Sequence, residues 1–270
     1  MKKPPFVGAA IRSENLSSIL DWILEDNRDL EIQDACLPGF LDSDWKAISE
    51  RINKQLENYD GRIGIHGQYD GIQLGTGDPL AREHAQKRIS QSLDFAASIN
   101  AKACVIHSPF YFFGGGQTCH TPQLDLGFTL DRVSQTLEPL ITLAEESDCI
   151  LVVENIFDRS PLPLRALIER FDSPYLRRSI DTGHAAITER CGGGPSPEYW
   201  ILEAGELLSH IHLQDTNGEY DYHWTLGNGT LNWKGIFQSI DNIDATPRLI
   251  IETSDPMRGW NYLKREGLVC

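Results

Sequence analysis

Short apolar runs rich in valine and isoleucine alternate along this chain with longer stretches whose apolar residues recur every three or four positions. The runs are FVGAAI (6–11), LEIQDA (30–35), RIGIHG (62–67), ACVIHSP (103–109), ILVVENI (150–156), RRSIDTG (177–183), HIHLQD (210–215) and LIIET (249–253). Their length and β-branched content predict eight strands. AREHAQKRISQSLDFAASIN (81–100) and FTLDRVSQTLEPLITLAEES (128–147) carry the helical period between them. Strands each followed by a helix or long loop, at a rhythm of roughly 30 residues, predict a parallel (β/α)8 barrel of the α/β class, the TIM-barrel architecture. No linker or break in composition divides the chain, so residues 1–270 are expected to form one domain.

Composition narrows the picture. With 40% hydrophobic residues over 270 positions, the chain can bury about three-quarters of its unfolded surface. Arg12, Glu14 and Asn15 interrupt the N-terminal apolar stretch, so it does not read as a signal peptide. No apolar run approaches the roughly 20 residues of a membrane span. A soluble, cytoplasmic protein is expected. The six cysteines have no paired spacing, which favours reduced thiols, and Cys104 and Cys149 sit in apolar runs as small buried residues. A formal charge of −15, with no run of Lys and Arg longer than two, argues against a nucleic-acid partner without excluding it. Bound divalent cations would locally cancel some of that charge. A small molecule is the expected partner, and a homo-oligomer is permitted.

Candidate chemistry gathers at the strand ends. His66, His107, Glu154, Asp181, His212 and Glu252 all fall there, with His184 one turn beyond Asp181. In a parallel barrel those ends form the face that carries the active site. Carboxylates facing one another in a cleft would repel, and a divalent cation removes that conflict. Mixed imidazole and carboxylate donors suit zinc, manganese, iron or cobalt better than calcium. In HIHLQDTNGEYDYHWTLGNGTLNW (210–233), Asp221 and His223 would point the same way in extended backbone, and beside His212 they are expected to be ligands too. Gly/Pro-rich insertions follow the fourth and sixth strands, FFGGGQTCHTPQ (112–123) and CGGGPSPEYW (191–200). His84 reads as a helix-surface residue and His120 as a loop residue.

These strand-end motifs resemble those of the xylose isomerase-like TIM barrel superfamily. That superfamily contains sugar and sugar-phosphate isomerases and epimerases together with the AP endonuclease family 2 enzymes (endonuclease IV). VVEN, IDTGH, HIHLQD and IIET match its common core. The resemblance implies one metal held by Glu154, Asp181, His212 and Glu252, with Glu154 and Glu252 as the catalytic pair moving a proton on a sugar. The endonuclease IV pattern is also matched, by IHGQYDGIQLG (65–75), VIHSP and DYHWTLGNG. It implies a three-metal set: His66, His107 and Glu154; Glu154, Asp181, His212 and Glu252; and His184, Asp221 and His223. Tyr69 and Gln214 are then expected to meet substrate. Two departures stand out: the rim lacks basic residues to grip phosphates, and the arginine that ketohexose epimerases place soon after the equivalent of His212 is missing. The expectation is a metal-dependent isomerase or epimerase of a sugar or sugar phosphate, using one to three zinc or manganese ions. The alternative is an endonuclease IV-like trinuclear phosphodiesterase.

Overall fold

In the computed structural model, which describes residues 5–110 and 126–270, eight parallel strands close into one barrel in chain order. They are β1 (Gly8–Ile11), β2 (Leu30–Ile32), β3 (Ile63–His66), β4 (Ala103–His107), β5 (Ile150–Glu154), β6 (Leu176–Asp181), β7 (Leu208–Leu213) and β8 (Arg248–Ile251). Each overlaps its predicted segment, and β1 pairs with β8, leaving no free edge. The helices Pro79–Ser98 and Leu126–Glu146 lie within two residues of their predicted ends. The first starts where Asp78 accepts the Leu80 and Ala81 amides, with Pro79 in its first turn. The insertion at 112–123, with Cys119 and His120, lies outside the described residues.

Side-chain alternation along each strand builds two layers. Leu30, Ile32, Ile65, Ile106, Leu151 and Val153 point outward and pack against the helices, as do Ile180, Ile211, Leu213, Leu249 and Ile251 on the other side. Each such buried side chain contributes about 1.5–3 kcal/mol. The residues between them face inward, and there the barrel is polar: Glu31, His66, Glu154, Asp181, His210, His212 and Arg248 are all buried. Arg248 donates from the start of β8 to the carbonyl of Leu30 at 2.7 Å. Its guanidinium occupies the space where a side chain at position 64 would stand, and Gly64 leaves that room. Strand register then sets the height of the upper layer, with His107 level with Glu154 and Asp181 level with His212. Among the described residues no helix is long and apolar enough to cross a membrane.

Candidate metal centre

Asp181 ends β6 and caps the helix Thr182–Gly192, its Oδ1 accepting the His184 amide at 2.7 Å. The cap fixes the carboxylate and returns His184, one turn on, to the same side. Asn155 brackets the junction: its Oδ1 accepts the Asp181 amide at 2.9 Å and its Nδ2 donates to the Asp181 carbonyl at 3.3 Å. The Asp-x-x-His spacing and the asparagine after Glu154 are thus parts of one local structure.

Around this junction the six strand-end residues converge. One ligand atom from each of Glu154, Asp181, His212 and Glu252 lies within 4.8 Å of the others, and the same holds for His66, His107 and Glu154, and for His184, Asp221 and His223. Glu154 stands at the middle, with Oε1 3.1 Å from His212 Nδ1 and Oε2 3.6 Å from His66 Nε2 and 4.0 Å from His107 Nε2. Asp221 sits between two imidazoles, 3.3 Å from His184 Nε2 and 3.2 Å from His223 Nε2.

Four of these imidazoles have one nitrogen held and the other turned toward the cluster. His66 Nδ1 lies 2.8 Å from the Gly67 carbonyl, His184 Nδ1 3.0 Å from that of Asn155, and His223 Nδ1 3.1 Å from that of Glu252. His212 has the reverse polarity, with Nε2 2.9 Å from Glu31 Oε1 and Nδ1 facing Glu154 and Glu252. An imidazole whose N–H is engaged by an oxygen offers the lone pair of its other nitrogen, the usual way a metal-binding histidine is oriented.

Electrostatics sharpen the case. Burial opposes charge on Glu154, yet His212, His184 and His66 around it hold its carboxyl well below the usual range. Burial, with Glu154 and Glu252 nearby, pushes Asp181 up to about 6. Burial also pushes His107 down to about 3, leaving it a neutral donor. Two carboxylate oxygens, Glu154 Oε2 and Asp181 Oδ2, are buried without a hydrogen-bond partner. Orphaned charged oxygens are costly, and a divalent cation would satisfy both. The residues present therefore fit such an ion.

Above the cluster a cavity of about 300 Å³ opens at the barrel mouth. Glu252, His66, His223, Gln33 and Tyr69 line it. Tyr69 is stacked on His107, with ring centroids 4.6 Å apart. Gln214, the other residue expected to meet substrate, sits beside the donor cluster. It is fully buried, and its Nε2 donates to Asp221 at 2.7 Å and to Asp181 at 3.2 Å. Gly183 leaves the room: a side chain there would overlap the Gln214 amide.

A family model described as the xylose isomerase-like TIM barrel matches residues 30–268. The chain belongs to this family. Among solved structures this xylose isomerase-like barrel resembles the TTHB071 protein of Thermus thermophilus, soaked with zinc chloride, at 23% identity and a TM-score of 0.73 over 97% of each chain. It also resembles a D-tagatose 3-epimerase-like protein, at 20% identity and 0.78 over 98% of each chain. A third neighbour is the Escherichia coli 3-keto-D-glucoside 4-epimerase in its apo form, at 19% and 0.71, covering 96% of this chain and 98% of that one. At these identities the likeness is one of fold.

Three residues at the centre of this xylose isomerase-like barrel are absent from the sequence expectation. Glu31 and His210 lie beneath His212, with His210 Nε2 3.0 Å from Glu31 Oε2 and His210 Nδ1 2.8 Å from Ser179 Oγ. Gln33, at the end of β2, donates to Glu252 Oε1 at 2.6 Å. A signal exists for the first two. A glutamate inside the apolar run LEI, and the alternation of HIH, both put polar groups on an inward face.

Proposed function

We propose that this chain is a divalent-metal-dependent isomerase or epimerase of a sugar or sugar phosphate. The observation that carries the reading is the position of Glu252. It belongs to the four-donor cluster with Glu154, Asp181 and His212 and also to the wall of the cavity. Proton transfer at a sugar carbon needs carboxylates close to the substrate and to one another. Epimerases among the structural neighbours support the same chemistry.

In this reading Glu154, Asp181, His212 and Glu252 hold a zinc or manganese ion. Bound there, the ion polarises the carbonyl and adjacent hydroxyl oxygens of the sugar. Glu252 would meet the substrate carbon from the cavity wall and Glu154 from the buried side of the four-donor cluster. One takes its proton and the other, protonated, returns a proton to the opposite face, so the C–H bond broken is replaced by the C–H bond formed. Gln33 orients Glu252 through its 2.6 Å hydrogen bond. Tyr69, at the rim, packs against the sugar.

A second reading has a specific observation in its favour. His66, His107 and Glu154 form another donor cluster, and His184, Asp221 and His223 a third. All three occupied would suit a trinuclear phosphodiesterase. The charge of −15 weighs against a DNA substrate.

The test incubates metal-loaded protein in deuterium oxide with a panel of ketoses and ketose phosphates and follows carbon-bound deuterium by NMR. Exchange abolished by a chelator supports the isomerase. No exchange, together with cleavage of abasic-site DNA at ~1 per second or faster, would replace it with the phosphodiesterase.

A further inference from the structure

We infer that the cavity carries a subsite for an anionic substituent of the substrate, a phosphate or a carboxylate, held by Arg12. This rests on the isomerase reading above and specifies the class of sugar it takes. Arg12 follows β1 directly, in extended backbone. The next residue is pinned: Asp34 accepts the Ser13 amide at 2.7 Å and the Ser13 hydroxyl at 2.6 Å. That anchors the backbone beside Arg12, whose side chain lines the cavity together with Glu252 and His66.

The guanidinium there has no carboxylate within 4.0 Å among the described residues. Some arginines are ion-paired, as in Arg62–Asp29, Arg88–Asp42, Arg170–Asp131 and Arg190–Glu219, while others, such as Arg51 and Arg82, meet only neutral groups. What distinguishes Arg12 is its place in the lining of the cavity. A guanidinium left without a carboxylate at a cavity mouth is available to an outside anion, which it can bind with two parallel hydrogen bonds. Thr253 and Ser254, both hydroxyl-bearing, line the same cavity.

Glu252 of the four-donor cluster and Arg12 thus line one cavity, with Thr253 and Ser254 following Glu252 along its wall. A monosaccharide with its reacting carbon at Glu252 would bring a charged substituent within the same cavity as the guanidinium. The expectation of a rim without basic residues is corrected at this position. A single guanidinium suits one phosphate or carboxylate, not the several phosphates of a duplex.

The experiment compares manganese-loaded wild-type protein with Arg12→Gln and Arg12→Lys, by calorimetric binding and by solvent-deuterium exchange. The probes are D-fructose, D-fructose 6-phosphate and the sugar acid D-tagaturonate. Wild-type protein should bind an anionic probe at least tenfold more tightly than fructose, a typical margin for a charge-assisted hydrogen bond. That margin should collapse in Arg12→Gln and return in part in Arg12→Lys. Preference for the phosphate or for the acid identifies the anion. A margin unchanged in Arg12→Gln, no margin in wild type, or no binding of any probe overturns the inference. Exchange without an anionic margin refutes the subsite and leaves the isomerase intact. An Arg12-dependent margin without exchange refutes the isomerase and leaves the anion subsite standing.

Discussion

His212 turns Nε2 to Glu31 at 2.9 Å and Nδ1 to Glu154 at 3.1 Å, so one imidazole joins the buried floor of the barrel to the centre of the donor cluster. Glu31 thus selects which nitrogen of His212 is free. Glu31→Gln keeps the shape but loses the charge, and it should weaken divalent-metal affinity about 10- to 100-fold, the usual cost of losing such a partner. Competition with a chromophoric chelator measures this, and far-UV circular dichroism confirms the fold. Affinity equal to wild type would mean that Glu31 does not orient the ligand.

Glu154 contributes to two donor clusters. Glu154→Gln should lower metal content and turnover together. His84→Gln, on the exposed surface of the helix Pro79–Ser98, should change neither. Elemental analysis after gel filtration, beside the deuterium-exchange rate, decides it. A Glu154→Gln protein with full metal content would remove the shared-ligand assignment.

Asp221 and His223 separate the two enzyme readings. Asp221→Asn/His223→Ala should leave the protein folded with its central ion and with exchange activity on sugars. A phosphodiesterase that needs the outer ion would instead lose about a thousandfold or more in rate, several kcal/mol at about 1.4 kcal/mol per factor of ten. Complete loss of sugar activity in the double variant would count against the isomerase.

Gly183 makes room for the Gln214 amide that joins Asp181 to Asp221. Gly183→Ala should push Gln214 aside and cost about 1–3 kcal/mol, as overpacking does. It should also reduce the metal bound at His184, Asp221 and His223 before that at the central cluster. Urea unfolding and manganese titration followed by electron paramagnetic resonance report the two effects. Unchanged stability and stoichiometry would show that the alanine methyl is accommodated without displacing Gln214.

Burial pushes the Asp158 carboxyl up to about 7, although Ser108 donates to its Oδ1 at 2.5 Å and the Ile156 amide to its Oδ2 at 3.0 Å. An unfolded aspartate releases its proton near pH 4. Between about pH 4 and pH 7 the folded chain therefore holds a proton that the unfolded chain has lost. The stabilisation is complete below that window and is lost as pH rises through it, by at most about 4 kcal/mol. Asp158→Asn should flatten this part of the stability profile, measured by urea denaturation at pH 5 and pH 8. Parallel profiles for the two proteins would contradict it.

Alternation of apolar runs with helical stretches was enough to reveal the barrel, because burial on a strand or helix face is a local constraint written every two or every three to four residues. Strand-end positions of His66, His107, Glu154, Asp181, His212 and Glu252 followed from the same pattern. The Asp181–His184 pair was legible too, since a helix cap acts over three residues.

Only the tertiary structure decided the contacts that cross the barrel. Glu31 meets His212 from 181 positions away, and Gln33 meets Glu252 from 219. Nothing in either local stretch records its partner. The surroundings of Gln214 are of the same kind: its burial depends on Gly183 of the neighbouring strand–helix junction and on Asp221 of its own loop, which fold against it only once β6 and β7 pair. Local periodicity dictates which face a side chain takes. Closure of the sheet, which sets every strand at a fixed stagger to the next, dictates what it meets there.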